Sequence, residues 1–353
     1  MKIGILTASR TDNHGTDLQA LAMQNLFYRM GAKDVEIIDY ICNKIDTSRC
    51  IKINAHNLFY LPVILYNRYA HRKFRKLNFK KSEKTYNADN LHTVPYNTIV
   101  VGSDQIWNLD LTGNDLSFYL PFTNKNVKKY AYAASLGTAK TEKWEKKHHI
   151  KDLLCDFTEI SVRETTGVNA LSQIGIKSQH DLDPILMGRK EDWLQFITPA
   201  IRKRYILLYL VGYNPMAIEY AQILAKQMGL DVIMLNPGIK NWKGVKRYPF
   251  VSVEKWLNLI ANADYVITNS YHGLSFAVLF HREFRLCLLP LASKNNSRMV
   301  DLLNALHLSE NILRAKTDTF EPINWEIVDA NLSKLVDRSE QYIKLIINNS
   351  ECH

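Results

Sequence analysis

The sequence predicts an α/β protein built from two facing, doubly wound, Rossmann-like domains with a cleft between them. Three observations carry that expectation. The chain has 353 residues, enough for about two domains at roughly 150 residues each. Short β-rich runs alternate with segments of helical periodicity, the order that builds parallel sheets. The alternation halts at a polar stretch near residue 190 and then begins afresh, as at a boundary that few contacts need cross.

The elements follow in order. Lys2 to Thr7 reads as a strand, and a polar loop then runs to Gly15. From Thr16 to Met30 the residues Leu18, Leu21, Ala22, Leu26 and Met30 recur at helical spacing, with Gly31 as a stop. Val35 to Tyr40 completes a β-α-β unit, and Asn97 to Gly102 and Glu159 to Arg163 are further short strands, each running into polar residues. The boundary falls in Gly188-Arg-Lys-Glu-Asp192, which predicts domains 1–188 and 189–353. Beyond it, Tyr205 to Val211 reads as a buried strand, Ala217 to Met228 as a helix stopped by Gly229, and Asp231 to Leu235 as a strand. Val253 to Ala263 (helix), Asp264 to Thr268 (strand) and Leu274 to Phe280 (helix) complete the second half. No sequence repeat relates the halves. Such a pair of domains is the architecture called GT-B, in which ligands gather at the carboxyl ends of the strands.

Composition narrows the class further. Hydrophobic residues make up 46% and charged residues 23%, with 14 Gly and 10 Pro, so collagen-like and disordered classes drop out. The five cysteines (Cys42, Cys50, Cys155, Cys287 and Cys352) are odd in number and widely separated, which suits a reducing compartment and offers no zinc spacing. Ile3 to Ala8 is too short for the core of a secretory signal, and no stretch approaches the roughly 20 apolar residues of a membrane span. The expected location is the cytoplasm, with peripheral contact at the inner face of the membrane as an option. Net charge is +10, and the segment Arg68 to Lys84 holds eight cations against the single Glu83. After the apolar run Leu58 to Tyr66, that segment suits an anionic membrane surface, a nucleic acid, or a plain surface helix whose Phe74 and Leu77 pack on the domain.

The chain lacks a G-x-G-x-x-G after its first strand, a Walker A loop, H-E-x-x-H and G-x-S-x-G. Polar clusters at strand ends remain. In Thr268-Asn-Ser-Tyr-His-Gly-Leu274, Asn269 or Ser270 can cap a helix whose amides make an anion site, His272 can exchange a proton, and Gly273 permits close backbone approach. A simple cap beside a core histidine is the plainer alternative. Arg163, in Ile160-Ser-Val-Arg-Glu164, can hold a carboxylate or phosphate in a bidentate manner, or pair with Glu164 at the surface. Ser103-Asp-Gln-Ile-Trp-Asn108 suits a sugar or, equally, a helix cap beside a core tryptophan. Asn13-His-Gly-Thr-Asp17 can receive an anion or a hydroxyl-rich ligand, or merely cap. Arg298 supplies another guanidinium. The D-x-D pair Asp181 and Asp183 is too common a pattern to indicate a metal, and none is expected.

Taken jointly, these pieces resemble the polysaccharide pyruvyl transferase family from Asn13 to Arg298. The matching segments are Asn13-His-Gly-Thr-Asp-Leu-Gln-Ala20, Val101-Gly-Ser-Asp-Gln-Ile-Trp-Asn108, Tyr132-Ala-Ala-Ser135, Ile160-Ser-Val-Arg-Glu164, Leu182-Asp-Pro184, Ala263-Asp-Tyr-Val-Ile-Thr-Asn-Ser-Tyr-His-Gly273 and Asn296-Ser-Arg298. His14 stands where that family carries an aromatic residue. The resemblance implies an enzyme that uses phosphoenolpyruvate as co-substrate, without a further cofactor, to build a pyruvate ketal on a glycan or lipid-linked sugar of a bacterial surface polysaccharide. It implies that Arg163 and Arg298 bind the donor with Asn269, Ser270 and Gly273, and that His272 is the general acid. Asn13, Gly15, Gln19, Asp104 and Gln105 are then expected on the acceptor side. Two other classes stay in play: a nucleotide-sugar glycosyltransferase on the same scaffold, and a non-catalytic basic protein that binds membrane or nucleic acid.

Overall fold

The computed structural model describes residues 2–47, 55–122, 126–137, 141–198, 204–235, 242–289, 296–319 and 321–351. Cys50 and Cys352 lie outside them, and Cys42, Cys155 and Cys287 are free thiols. Among the described residues twelve strands form two sheets, every pairing parallel. In the first sheet β1 (Ile3–Leu6), β2 (Val35–Tyr40), β3 (Lys81–Tyr86), β4 (Thr98–Val101), β5 (Lys128–Ala134), β6 (Glu159–Val162) and β7 (Gln179–His180) lie in the order β3-β2-β1-β4-β5-β6-β7. In the second, β8 (Tyr205–Tyr209), β9 (Asp231–Leu235), β10 (Val245–Tyr248), β11 (Tyr265–Thr268) and β12 (Glu283–Leu286) lie in the order β10-β9-β8-β11-β12. Both orders reverse direction beside the first strand, which is the doubly wound pattern. The reversal leaves a crevice at the carboxyl ends of β1 and β4 in one sheet and of β8 and β11 in the other.

Helices cover the sheets and begin where the sequence supplies caps. Helix α1 (His14–Arg29) starts at Asn13, whose side chain accepts from Thr16 N. The segment Asn13 to Asp17 is therefore the first turn of a helix and not an open loop. Helix α2 spans Ala55–Asn78 and α3 Thr165–Gln173. Helix α4 (Pro215–Met228) is capped by Asn214 and ends at Gly229, and α5 (Val253–Ala261) is capped by Ser252. Helix α6 (Tyr271–Leu279) is capped by Ser270, α7 spans Ser297–Ala305, and α8 runs over Trp325–Glu351.

The chain divides into two compact units, one of Met1–Asn57, Arg75–Met187 and Ser333–His353, the other of Leu58–Phe74 and Gly188–Leu332. Two segments therefore depart from a contiguous division into 1–188 and 189–353. The C-terminal part of α8 belongs to the first unit because its Tyr342, Ile343, Ile346 and Ile347 are buried there. Tyr342 Oη donates to the Ala131 carbonyl oxygen (2.9 Å), and Thr98 Oγ1 donates to Ser350 Oγ (2.9 Å). Leu58–Phe74 joins the second unit, where Phe74 packs on Phe196 at 5.6 Å and Tyr66 meets Phe250 edge-on at 5.4 Å.

Candidate active site

At the carboxyl edge of the first sheet, backbone conformation sets the side chains. Gly102 has φ +126°, and a Cβ there would lie 2.1 Å from the Tyr132 carbonyl oxygen, so only glycine fits where the chain leaves β4. Asp104 follows at φ +66°, a left-handed conformation that a short carboxylate side chain tolerates and that concentrates at functional sites. Its Oδ1 accepts from Gln105 N (2.8 Å) and Arg163 Nη2 (3.3 Å), and its Oδ2 accepts from Thr16 Oγ1 (2.9 Å). Arg163 Nη1 donates to Asp183 Oδ2 at 2.7 Å, and Ser103 Oγ lies 3.3 Å from the same oxygen. One buried guanidinium thus serves two carboxyl groups, and this edge has no surplus of positive charge.

That arrangement revises several expectations. Arg163 is buried with both terminal nitrogens on protein carboxylates, so here it fixes Asp104 and Asp183 in place instead of standing open to an anion. The alternative of a surface pair with Glu164 fails as well, because Glu164 is buried. Its Oε1 accepts from Ser135 Oγ (3.0 Å), Leu136 N (2.8 Å) and Gly137 N (3.2 Å). Gly15 and Gln19 are buried in α1, where Gln19 Oε1 accepts from Thr7 Oγ1 (3.3 Å). Asn13 is exposed, while Asp104 and Gln105 are half-buried. Trp107 is a core residue, stacked on Tyr119 at 5.5 Å with its Nε1 donating to the Phe118 carbonyl oxygen, so no sugar stacks there. Asp181 accepts from Gln179 Nε2 and Ser339 Oγ, whereas Asp183 serves Arg163, and the D-x-D carboxylates hold separate partners.

In the second unit the strand-end cluster is tied together mainly by backbone contacts. Asn269 Oδ1 accepts from Val211 N (2.7 Å) and its Nδ2 donates to the Gly212 carbonyl oxygen (2.8 Å). These bonds end β8 at Tyr209, short of the expected Val211, and leave the Asn269 amide engaged by protein. Ser270 Oγ caps α6 by accepting from Gly273 N (3.3 Å). A Cβ on Gly273 would lie 2.7 Å from Thr268 Oγ1 and 3.1 Å from Tyr209 Cδ1, so the close approach it permits is to the sheet beneath the helix. His272 then sits in the first turn, buried, with its ring edge-on to Tyr271 at 5.6 Å. Arg298, in the first turn of α7, places its guanidinium carbon 5.7 Å from the Tyr271 ring centroid. Asn296, just before it, clamps Leu289 by accepting from its amide (2.9 Å) and donating to its carbonyl (2.8 Å).

The second unit thus gathers His272, Arg298 and the amino ends of two helices around Tyr271, a positively biased edge able to hold an anion. Tyr271 escaped the sequence reading although it lies inside the motif, because an aromatic between Ser and His carries no spacing signal of its own. Asp183 was visible in the D-x-D pair and in Leu182-Asp-Pro184, but its pairing with Arg163, 20 residues away along the chain, carries no local signal.

Fold and site define a protein of GT-B type. Across 96% of this chain and 93% of the other, the fold is similar to that of UDP-GlcNAc 2-epimerase from Methanocaldococcus jannaschii, with a TM-score of 0.53 and 13% identity. It is likewise similar to MnaA of S. aureus in complex with UDP, with a TM-score of 0.51 and 10% identity over 98% of this chain and 91% of that one. No curated protein matches the chain. The model of the polysaccharide pyruvyl transferase family matches residues 13–308, and the chain belongs to that family, as a transferase that acts on polysaccharides.

Proposed function

We propose that the chain transfers pyruvate from phosphoenolpyruvate to two hydroxyls of a glycan sugar, forming a pyruvate ketal and releasing phosphate. The observation that carries this reading is the grouping of His272, Tyr271 and Arg298 at the start of α6, in a chain of this family. Protonation of the methylene carbon makes the neighbouring carbon oxocarbenium-like. One sugar hydroxyl adds there as it loses its proton, the C–O bond to phosphate breaks, and the second hydroxyl closes the ketal; of the two hydroxyl protons, one restores the general acid and the other leaves on phosphate. His272 supplies the first proton. Arg298 and the first-turn amides of α6 hold carboxylate and phosphate. In the first unit, Arg163 is a positioning residue that orients the Asp104 carboxylate beside Gln105.

The test is phosphate release, followed by ³¹P NMR, from phosphoenolpyruvate mixed with purified protein and a panel of sugar and lipid-linked sugar acceptors. His272→Ala is expected to lose about 10²- to 10⁴-fold in rate with its melting temperature kept. Full activity in that variant removes the general-acid assignment. Thermal stabilisation by UDP but not by phosphoenolpyruvate instead favours nucleotide-sugar chemistry, the alternative that the likeness to UDP-bound MnaA brings forward.

A further inference from the structure

The cations between Arg68 and Lys84 fall into two kinds. Arg75 is buried, its Nη1 2.8 Å from the Thr11 carbonyl oxygen and 3.1 Å from Asp17 Oδ1. Lys80 pairs with Asp34 at 2.6 Å and Lys81 with Asp39 at 3.1 Å. These charges are consumed within the fold. Arg72, Lys73 and Lys76 stand exposed on α2, and among the described residues none of the three has a carboxylate within ion-pair distance.

The same helix explains why the three stand together. Positions 65, 69, 72 and 76 are separated by four, three and four residues, so they share one helical face. On that face Leu65 is 52% exposed and Tyr69 64%. Leu77, which follows Ala70 by seven residues, is 68% exposed on the flank of that face. The expected packing of Leu77 on the domain does not occur. Ala70, His71, Phe74 and Arg75, on the opposite side, are buried. Phe250, itself 43% exposed, extends the apolar surface through its edge-on contact with Tyr66.

We propose that this face of α2 docks the protein on an anionic phospholipid surface. Unpaired cations meet the headgroups, and the neighbouring Leu65 and Tyr69 enter the interfacial zone, the combination that holds amphipathic helices in the plane of a bilayer. A nucleic acid offers the same negative charge but no apolar phase for Leu65 and Tyr69, and that decides between the two partners. Among the described residues no helix is long and apolar enough to cross a membrane, so the contact is one of surface docking.

The experiment is co-sedimentation of the full chain with vesicles of phosphatidylcholine and phosphatidylglycerol, with pure phosphatidylcholine vesicles as control. Binding is expected only to the mixed vesicles and is expected to weaken with salt. The Arg72→Gln/Lys73→Gln/Lys76→Gln variant is expected to lose about a hundredfold in partitioning, near fivefold for each cation. Leu65→Ser/Tyr69→Ser is expected to bind more weakly with unchanged salt dependence. Circular dichroism and melting of both variants are expected to match the parent, because every altered side chain is exposed. Equal partitioning of the charge variant overturns the proposal. So does parental binding by the Leu65→Ser/Tyr69→Ser variant combined with displacement of the protein from vesicles by an oligonucleotide, which would assign the cations to nucleic acid.

Discussion

Asp183 shows how one buried side chain organises the edge around it. Its carboxylate takes Arg163 Nη1 and Ser103 Oγ and is fully enclosed. Removing one partner of a buried pair leaves the other uncompensated, a loss of about 3–5 kcal/mol. Asp183→Ala is therefore expected to lower the urea midpoint by that equivalent, far more than a typical surface substitution. Nearby, His180 Nε2 donates to the Arg163 carbonyl oxygen (3.2 Å), and burial, followed by the charge of Arg338, holds the imidazole pKa below its ordinary value. The depressed folded value means that the unfolded chain takes up the proton first. Stability is then full above about pH 6.5 and declines as pH falls below it toward the folded pKa. Unfolding measured across pH 7 to about 5 is expected to show that decline, and His180→Gln, which retains an amide donor, to remove part of it.

Among the elements, α6 is the one whose start decides where His272 lies. Ser270 Oγ satisfies the Gly273 amide, and Ser270→Ala is expected to cost about 1 kcal/mol in melting experiments. Phosphate release is expected to fall beyond what that loss explains, because the cap sets the first turn. The central strands were legible in the sequence because Ile-Gly-Ile-Leu, Thr-Ile-Val-Val and Tyr-Ile-Leu-Leu-Tyr are continuous apolar runs, as strands buried on both faces require. The edge strands β3 (Lys-Ser-Glu-Lys-Thr-Tyr) and β10 (Val-Lys-Arg-Tyr) were not, because sheet edges carry charge that blocks further pairing. Strand β5 escaped for another reason: Lys129 is buried in it, with its ammonium on the Leu120 and Phe122 carbonyl oxygens at 2.9 and 2.6 Å. A lysine satisfied by backbone oxygens can occupy a core strand, and only tertiary structure supplies those oxygens.

For the whole molecule, α8 closes the first unit. Four of its apolar side chains are buried there, each worth roughly 1.5–3 kcal/mol, a sum comparable with the total stability of about 5–15 kcal/mol typical of a folded protein. A chain ended after Leu332 is expected to lose cooperative unfolding of the first unit, read by circular dichroism and limited proteolysis, whereas the second unit keeps its own sheet.

The sequence by itself determined the α/β class, most of the interior strands, the cap of α6 and the order of motifs that marks the family, because each rests on periodicity or on residues adjacent along the chain. Tertiary structure decided what those motifs touch. It assigned Arg163 to two aspartates, Asn269 to the exit of β8 and Arg298 to the ring beside His272, and it returned the C-terminal part of the last helix to the first unit. The reason is physical: hydrogen-bond partners and buried faces are set by chain segments that meet only on folding, and neither local spacing nor propensity records which segments meet.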